Sequence, residues 1–230
     1  GLWPEDRVLA APETAPPETA LPDWALRDAP RPDRPPQPLS PSDLGGAKAL
    51  PGDPLAPAEA EDVRARGTWM HLLLEHLPGT DPADRPALAR AFLTAADPPA
   101  PAAAIPALAA EAEALMARPD LAPVFAPGSL AEVPLTAALG QGRLSGAVDR
   151  LIVSPTRITA VDFKTNAVVP DRPEDTPEGI LRQLGAYAMA LAQIYPGREI
   201  GTTILWTRTG ALMTIPRELG HAALARAGLA

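Results

Sequence analysis

The distribution of proline limits this chain more than any other feature. Fourteen of its 31 prolines fall in the first 58 residues. A run such as Ala29-Pro30-Arg31-Pro32-Asp33-Arg34-Pro35-Pro36-Gln37-Pro38 supports neither a helix nor a central strand, because each proline removes an amide donor and fixes φ. Residues 1–36 therefore read as an extended, Pro-rich linker of polyproline character, with Trp3, Leu21 and Trp24 as candidate anchors. The folded part is expected over 37–230. Its first segment is Leu39-Ser40-Pro41-Ser42-Asp43-Leu44, where Ser40 suits a helix N-cap and Pro41 the first helical position.

Charge follows the same division. Residues 1–62 hold 12 acids and 5 bases, whereas residues 63–230 hold 16 acids and 15 bases. The net charge of −8 thus belongs mostly to the leading segment and does not exclude a nucleic-acid partner for the rest. Cysteine is absent, which rules out disulfides, Cys-ligated zinc, iron–sulfur clusters and thiol nucleophiles. A reducing cytoplasm is the expected compartment, with no apolar run long enough for a membrane span. The chain has 18 Arg but only two Lys, Lys48 and Lys164. A lysine inside an apolar segment therefore calls for a chemical explanation.

Apolar periodicity predicts a helix from Glu59 to Leu77 through Val63, Trp69, Met70, Leu73 and Leu77, then helices over 84–96 and 106–118. Strands are expected at Leu130–Ala138, Leu144–Ser154 and Arg157–Thr165, then a helix over 177–194. A strand pair at Gly201–Thr207 and Ala211–Ile215 and a short helix near 217–227 follow. This order implies an α/β fold with a mixed central sheet flanked by helices.

The segment from Gly146 to Thr165 reads as a β-hairpin with Pro155 in its loop. If Val153 faces Ile158, Asp149 lies opposite Asp162, and both side chains point to one face with Lys164. Two close carboxylates repel unless a cation lies between them. Oxygen ligands without cysteine favour Mg²⁺ or Mn²⁺, and a neighbouring lysine can orient a water nucleophile and stabilise charge on phosphorus. The ordinary alternative is a pair of surface ion pairs, Asp149–Arg150 and Asp162–Lys164. Against it stands the Ile, Val, Ala and Phe content of the strand, since buried charges need partners.

Gly146-x-Val148-Asp149-Arg150-Leu151 followed by Val161-Asp162-Phe163-Lys164-Thr165 resembles the second and third motifs of the RecB-type PD-(D/E)xK nucleases. Gly67-Thr68-Trp69-Met70-His71-Leu72-Leu73-Leu74-Glu75 is similar to their upstream helical motif, with one extra residue before the Glu. Ala131-Glu132-Val133-Pro134 matches the acidic strand position, and Gln183-x-x-x-Tyr187 matches the helical motif that follows. All five stand in the family's order. The Leu39–Leu44 segment and its Pro/Ala-rich lead-in further resemble the C-terminal nuclease region of AddA-type helicase–nuclease subunits, over roughly residues 37–215.

This resemblance implies a restriction-endonuclease-like fold and a DNA exonuclease that acts at double-strand breaks. His71, Asp149, Asp162 and the Phe163 carbonyl would be ligands of Mg²⁺, with Mn²⁺ able to substitute, and Lys164 the catalytic lysine. Glu132 would hold a second ion, bind a metal-bound water or orient Lys164. Gln183, Tyr187 and Arg150 would contact DNA or support the site, with Arg143, Arg182 and Arg208 adding positive charge nearby. Glu75 is expected to pair with an arginine. No Gly-x-x-x-x-Gly-Lys-Ser/Thr loop is present, so ATP would be used only by an upstream helicase region, and the partner would be the second subunit, AddB, which unlike this chain carries an iron–sulfur cluster. The rival class is an inactive nuclease-fold module that binds DNA ends or docks the partner. A third reading is a structural α/β domain with ordinary ion pairs.

Overall fold

The computed structural model describes Pro22, Arg27, Asp28 and residues 37–50 and 57–230, with the side chains of 57–60 excepted. The expected linker at 1–36 and its anchors Trp3, Leu21 and Trp24 lie almost wholly outside the described residues.

Among the described residues, six α-helices and five strands occur in the order α1 (Pro57–His76), α2 (Arg85–Ala95), α3 (Ile105–Met116), α4 (Ala122–Phe125), β1 (Ser129–Leu139), β2 (Gly142–Val153), β3 (Arg157–Lys164), α5 (Glu178–Ile194), β4 (Glu199–Trp206), β5 (Ala211–Ile215) and α6 (Arg217–Arg226). The strands form one mixed sheet in the order β1-β2-β3-β4-β5. Only β3 and β4 are parallel. A parallel neighbour requires a crossover, and α5 provides it. Pro134 is tolerated because β1 is an edge strand, where it pairs with Ala147. The expected α/β restriction-endonuclease-like architecture is the one observed.

Apolar side chains on the two faces of the sheet form two cores. Ile158 and Ala160 of β3 join Ile180, Leu184, Tyr187 and Leu191 of α5 and Ala223 and Leu224 of α6. Val161 and Phe163 join Met70, Leu73, Leu74 and Leu77 of α1, together with α2 and α3 residues such as Leu93 and Leu108. The period-2 alternation of β3 thus feeds opposite cores, as expected for a central strand covered on both sides.

Two local differences from the sequence reading have clear causes. Pro41–Asp43 is a single 3₁₀ turn, and the Ser40 side chain does not cap it. The Ser40 hydroxyl lies 3.0 Å from that of Ser42 instead. The short α4, with Pro119–Leu121 before it, is too brief to leave a periodic signal.

β2 has different neighbours along its two halves. Arg150–Val153 pairs with β3. At the other end, Leu39 takes the position beside β2: its amide donates to the Arg143 carbonyl at 2.7 Å, and the Ser145 amide donates to the Leu39 carbonyl at 2.9 Å. Gly146 lies just beyond, where a Cβ would stand 2.5 Å from Pro41 Cδ. Only glycine lets this strap lie against the strand.

Helices α5 and α6 also meet at glycines. A Cβ on Gly185 would fall 2.5 Å from the Gly220 carbonyl oxygen, a backbone atom that cannot rotate aside. Gly→Ala inside a helix normally gains about 1 kcal/mol. Here Gly185→Ala is expected to lose about 1–3 kcal/mol through overpacking, measured as a lower urea midpoint with unchanged m-value.

Candidate active site

The hairpin register is the one expected from its loop: Arg150 pairs with Val161 and Val153 with Ile158. The ladder stops there. At the next position the Phe163 amide donates to Asp149 Oδ2 at 2.5 Å, a side-chain oxygen in place of a strand carbonyl. The same position is irregular towards β1. Pairing runs through Ala131–Arg150 and Val133–Val148 but omits Glu132 and Asp149, and Glu132 has φ 45°. A non-glycine residue in the left-handed region is uncommon, and such strain concentrates where the surroundings impose it. Glu132, Asp149 and Asp162 therefore occupy one interrupted rung across three strands.

Helix α1 brings His71 to this rung. Its Nδ1 lies 3.5 Å from Asp149 Oδ1, and its Nε2 lies 3.2 Å from the Phe163 carbonyl oxygen. Gly67, one turn earlier, keeps the approach close, because a Cβ there would lie 3.1 Å from Thr165 Oγ1. One ligand atom from each of His71, Glu132 and Asp149 falls within 4.8 Å of the others.

Asp162 is almost fully buried and is held differently. Its Oδ1 accepts from Gln183 Nε2 at 2.9 Å, and its Oδ2 forms an ion pair with Lys164. Lys164 Nζ also donates to Gln183 Oε1 at 3.0 Å. Gln183 Nε2 donates to the Tyr187 hydroxyl at 3.1 Å, which donates to the Ala147 carbonyl at 2.7 Å. Helix α5 places Gln183 and Tyr187 one turn apart on one face, so the amide bridges an acid and an ammonium while the phenol fixes the amide.

Burial and charge set the protonation states. Burial pushes the Asp162 carboxyl up, partly countered by Lys164. Burial also acts against the Asp149 carboxylate, but the His71 hydrogen bond and charge outweigh it and hold the carboxyl below its usual range. For His71, burial pulls the pKa down, while the Asp149 hydrogen bond and charge more than offset it and leave the imidazole above its ordinary value. Burial, reinforced by the charges of Asp149 and Glu75, raises Glu132. Burial and the Asp162 charge push the Tyr187 phenol far up, so it stays a donor.

His71, Asp149, Asp162, Lys164, Gln183 and Tyr187 line a cavity of about 590 Å³ with Ser42, Lys48, Val63, Arg64, Ala147, Asn166 and Ile180, and Glu132 stands next to His71 and Asp149. A second hollow of about 500 Å³ shares Arg64, His71, Lys164 and Asn166 with it.

Residues 46–222 match the model of the PD-(D/E)XK nuclease superfamily. The chain belongs to that superfamily. The matched stretch contains every side chain of the interrupted rung together with His71, Lys164, Gln183 and Tyr187. Among solved structures, the crystal structure of a "putative exonuclease" from Eubacterium rectale is similar at 15% identity with a TM-score of 0.37, over 53% of this chain and 50% of that one. The chain thus spans about half the length of that structure. No curated protein matches its sequence.

Most residues singled out from the sequence converge in this superfamily member. Four depart, in whole or in part, from expectation. The cluster with His71 and Asp149 contains Glu132 rather than Asp162, because the Asp162 oxygens face Gln183 and Lys164. Arg150 is buried on the other side of β2 and offers no surface to a strand of DNA. Its Nη2 donates to the carbonyls of Leu74 (2.6 Å) and Glu75 (3.2 Å), and its guanidinium lies 5.8 Å from the Phe125 ring. It caps α1, the helix that carries His71. Glu75 meets Arg150 through its carbonyl, while its carboxylate lies 3.7 Å from His76 Nε2. Arg182 is likewise occupied locally, by the Leu44 carbonyl and Glu178.

Sequence reasoning did not single out the contribution of the 42–49 segment to the cavity. The signal was present, since both lysines of the chain line this one space.

Arg150→Met should remove the α1 cap and leave two buried carbonyls unpaired, costing about 2–4 kcal/mol. Chemical denaturation of the purified variant measures this loss.

Proposed function

We propose that this chain is a Mg²⁺-dependent deoxyribonuclease, with Mn²⁺ able to replace Mg²⁺, and that residues 37–230 form its nuclease domain. The observation that supports this reading is the interrupted rung itself: two carboxylates, a histidine and a lysine on one cavity, with a third carboxylate, Glu132, grouped with His71 and Asp149. The donor set fits a hard divalent cation. His71 presents both ring nitrogens to acceptors, Asp149 Oδ1 and the Phe163 carbonyl, and the Glu132 carboxyl is raised by its acidic neighbours as well as by burial. An acceptor-rich pocket of this kind favours a cation.

Asp149, the Phe163 carbonyl, His71 and Glu132 would hold the ion, with Asp162 free to join when Lys164 turns to substrate. A bound Mg²⁺ supplies Lewis-acid polarisation of the phosphoryl oxygens and neutralises charge that develops there. Lys164 orients the attacking water and donates a hydrogen bond to a non-bridging phosphoryl oxygen. Gln183 holds Lys164 and Asp162 in register, and Tyr187 fixes Gln183 against β2. The water oxygen bonds to phosphorus, one ester P–O bond breaks, and the products are a phosphomonoester and a hydroxyl end.

We further propose that the domain is an exonuclease and the nuclease end of an AddA-type helicase–nuclease. In this reading it works with AddB on DNA at double-strand breaks in the cytoplasm, and ATP is consumed in a helicase region outside this sequence. Support comes from the order of the five motifs and from the Leu39–Leu44 segment ahead of them. Intact acids and lysine favour an active enzyme over an inactive DNA-binding module, since an unused buried charge cluster only costs stability.

Lys164→Ala and Asp162→Asn should each lower cleavage of end-labelled DNA by about 10²–10⁴-fold while circular dichroism stays that of the folded protein. Chelation of divalent ions should stop the parent enzyme, and added Mg²⁺ or Mn²⁺ should restore it. Cleavage that survives chelation and both substitutions would overturn the reading.

A further inference from the structure

The strap at 37–50 contributes to the cavity lining and is fastened along its length. Leu39 bonds to β2. Arg182 Nη1 donates to the Leu44 carbonyl at 3.1 Å, the Gly179 amide to the Ala47 carbonyl at 2.7 Å, and Asn166 Nδ2 to the Lys48 carbonyl at 3.2 Å. These bonds occupy the backbone of the strap; Leu39 and Leu44 pack on the core, and Ser42, Lys48 and Ala49 form part of the cavity lining.

Lys48 is one of only two lysines in the chain, and the other, Lys164, lines the same cavity. Its ammonium donates to the Ser42 carbonyl within the strap. Among the described residues no carboxylate forms an ion pair with it. The same lining includes the apolar residues Val63, Ala147 and Ile180. A cation and apolar residues in one cavity suit a nucleotide unit, with its phosphate on the ammonium and its sugar or base on the hydrocarbon surface.

We propose that Lys48, with Ser42 beside it, forms a phosphate-binding subsite for the nucleic-acid strand, taking a backbone phosphate other than the one cleaved. The inference rests on the nuclease reading above and extends it by a second, non-reacting contact. Lys48 is a positioning residue: it contributes to binding and alignment, and Lys164 to the reaction.

The test uses the full chain and a fluorescent single-stranded oligonucleotide. Ca²⁺ replaces Mg²⁺ for binding by anisotropy, and Mg²⁺ is used for cleavage kinetics. Lys48→Gln should weaken binding about tenfold and lower the slope of log K against log salt by about 0.7, the value for one phosphate contact on a single strand. KM should rise much more than kcat falls, and Lys48→Arg should recover most of the affinity. An unchanged salt slope in Lys48→Gln, with or without a lower melting temperature, would reduce Lys48 to a strap-fastening role and overturn the proposal. If the parent protein cleaves DNA normally and Lys48→Gln matches it, the subsite alone fails. If the parent binds no DNA, the nuclease reading fails with it.

Discussion

The hydrogen bond from the Phe163 amide to the Asp149 carboxylate stands where a strand rung would otherwise form, and the site depends on that exchange. A regular ladder would seal β2 against β3 and bury the acids without room for substrate. With the side chain as acceptor, the amide stays satisfied, the strands separate, and β2 is open over the residues that line the cavity. The strap at Leu39 then covers the far end of the exposed strand edge, which would otherwise be a template for unwanted pairing. One local substitution of acceptor thus produces both the cavity and the need for the segment that crosses it.

Positive charge is partly divided by residue type, although Arg64 lines the cavity beside the lysines. Arginines make fixed, multi-dentate contacts that hold elements together: Arg150 on the end of α1, Arg182 on the strap, and Arg226 on Glu178 between α6 and α5. The two lysines both face the cavity. The planar guanidinium suits permanent pairing, while a compact ammonium on a flexible stem can leave one partner for another. Lys164 is shared between Asp162 and Gln183.

Much of this was legible in the sequence, for identifiable reasons. Pro155 in a four-residue loop and the alternation of β3 sufficed for the hairpin register. The Asp149, Asp162 and Lys164 grouping followed from period-2 geometry, whereas His71 came only from the resemblance of Gly67–Glu75 to the family's helical motif. What stayed hidden depends on non-local backbone choices. Period-2 reasoning extends a ladder indefinitely and cannot foresee that it ends at Arg150–Val161 or that Glu132 turns left-handed. These two departures group Glu132, rather than Asp162, with His71 and Asp149. For Arg150 the motif left two roles open, DNA contact or support of the site, and its hydrogen bonds to the end of α1, the helix that carries His71, agree with support.

The central claim is that the interrupted rung is a divalent-cation site, and anomalous diffraction from crystals grown with Mn²⁺ tests it most directly. The account predicts a single strong peak bounded by Asp149, His71 and the Phe163 carbonyl, with oxygen ligands at about 2.0–2.3 Å. A fully ordered site with no peak there, or with Mn²⁺ only on surface carboxylates, would contradict it.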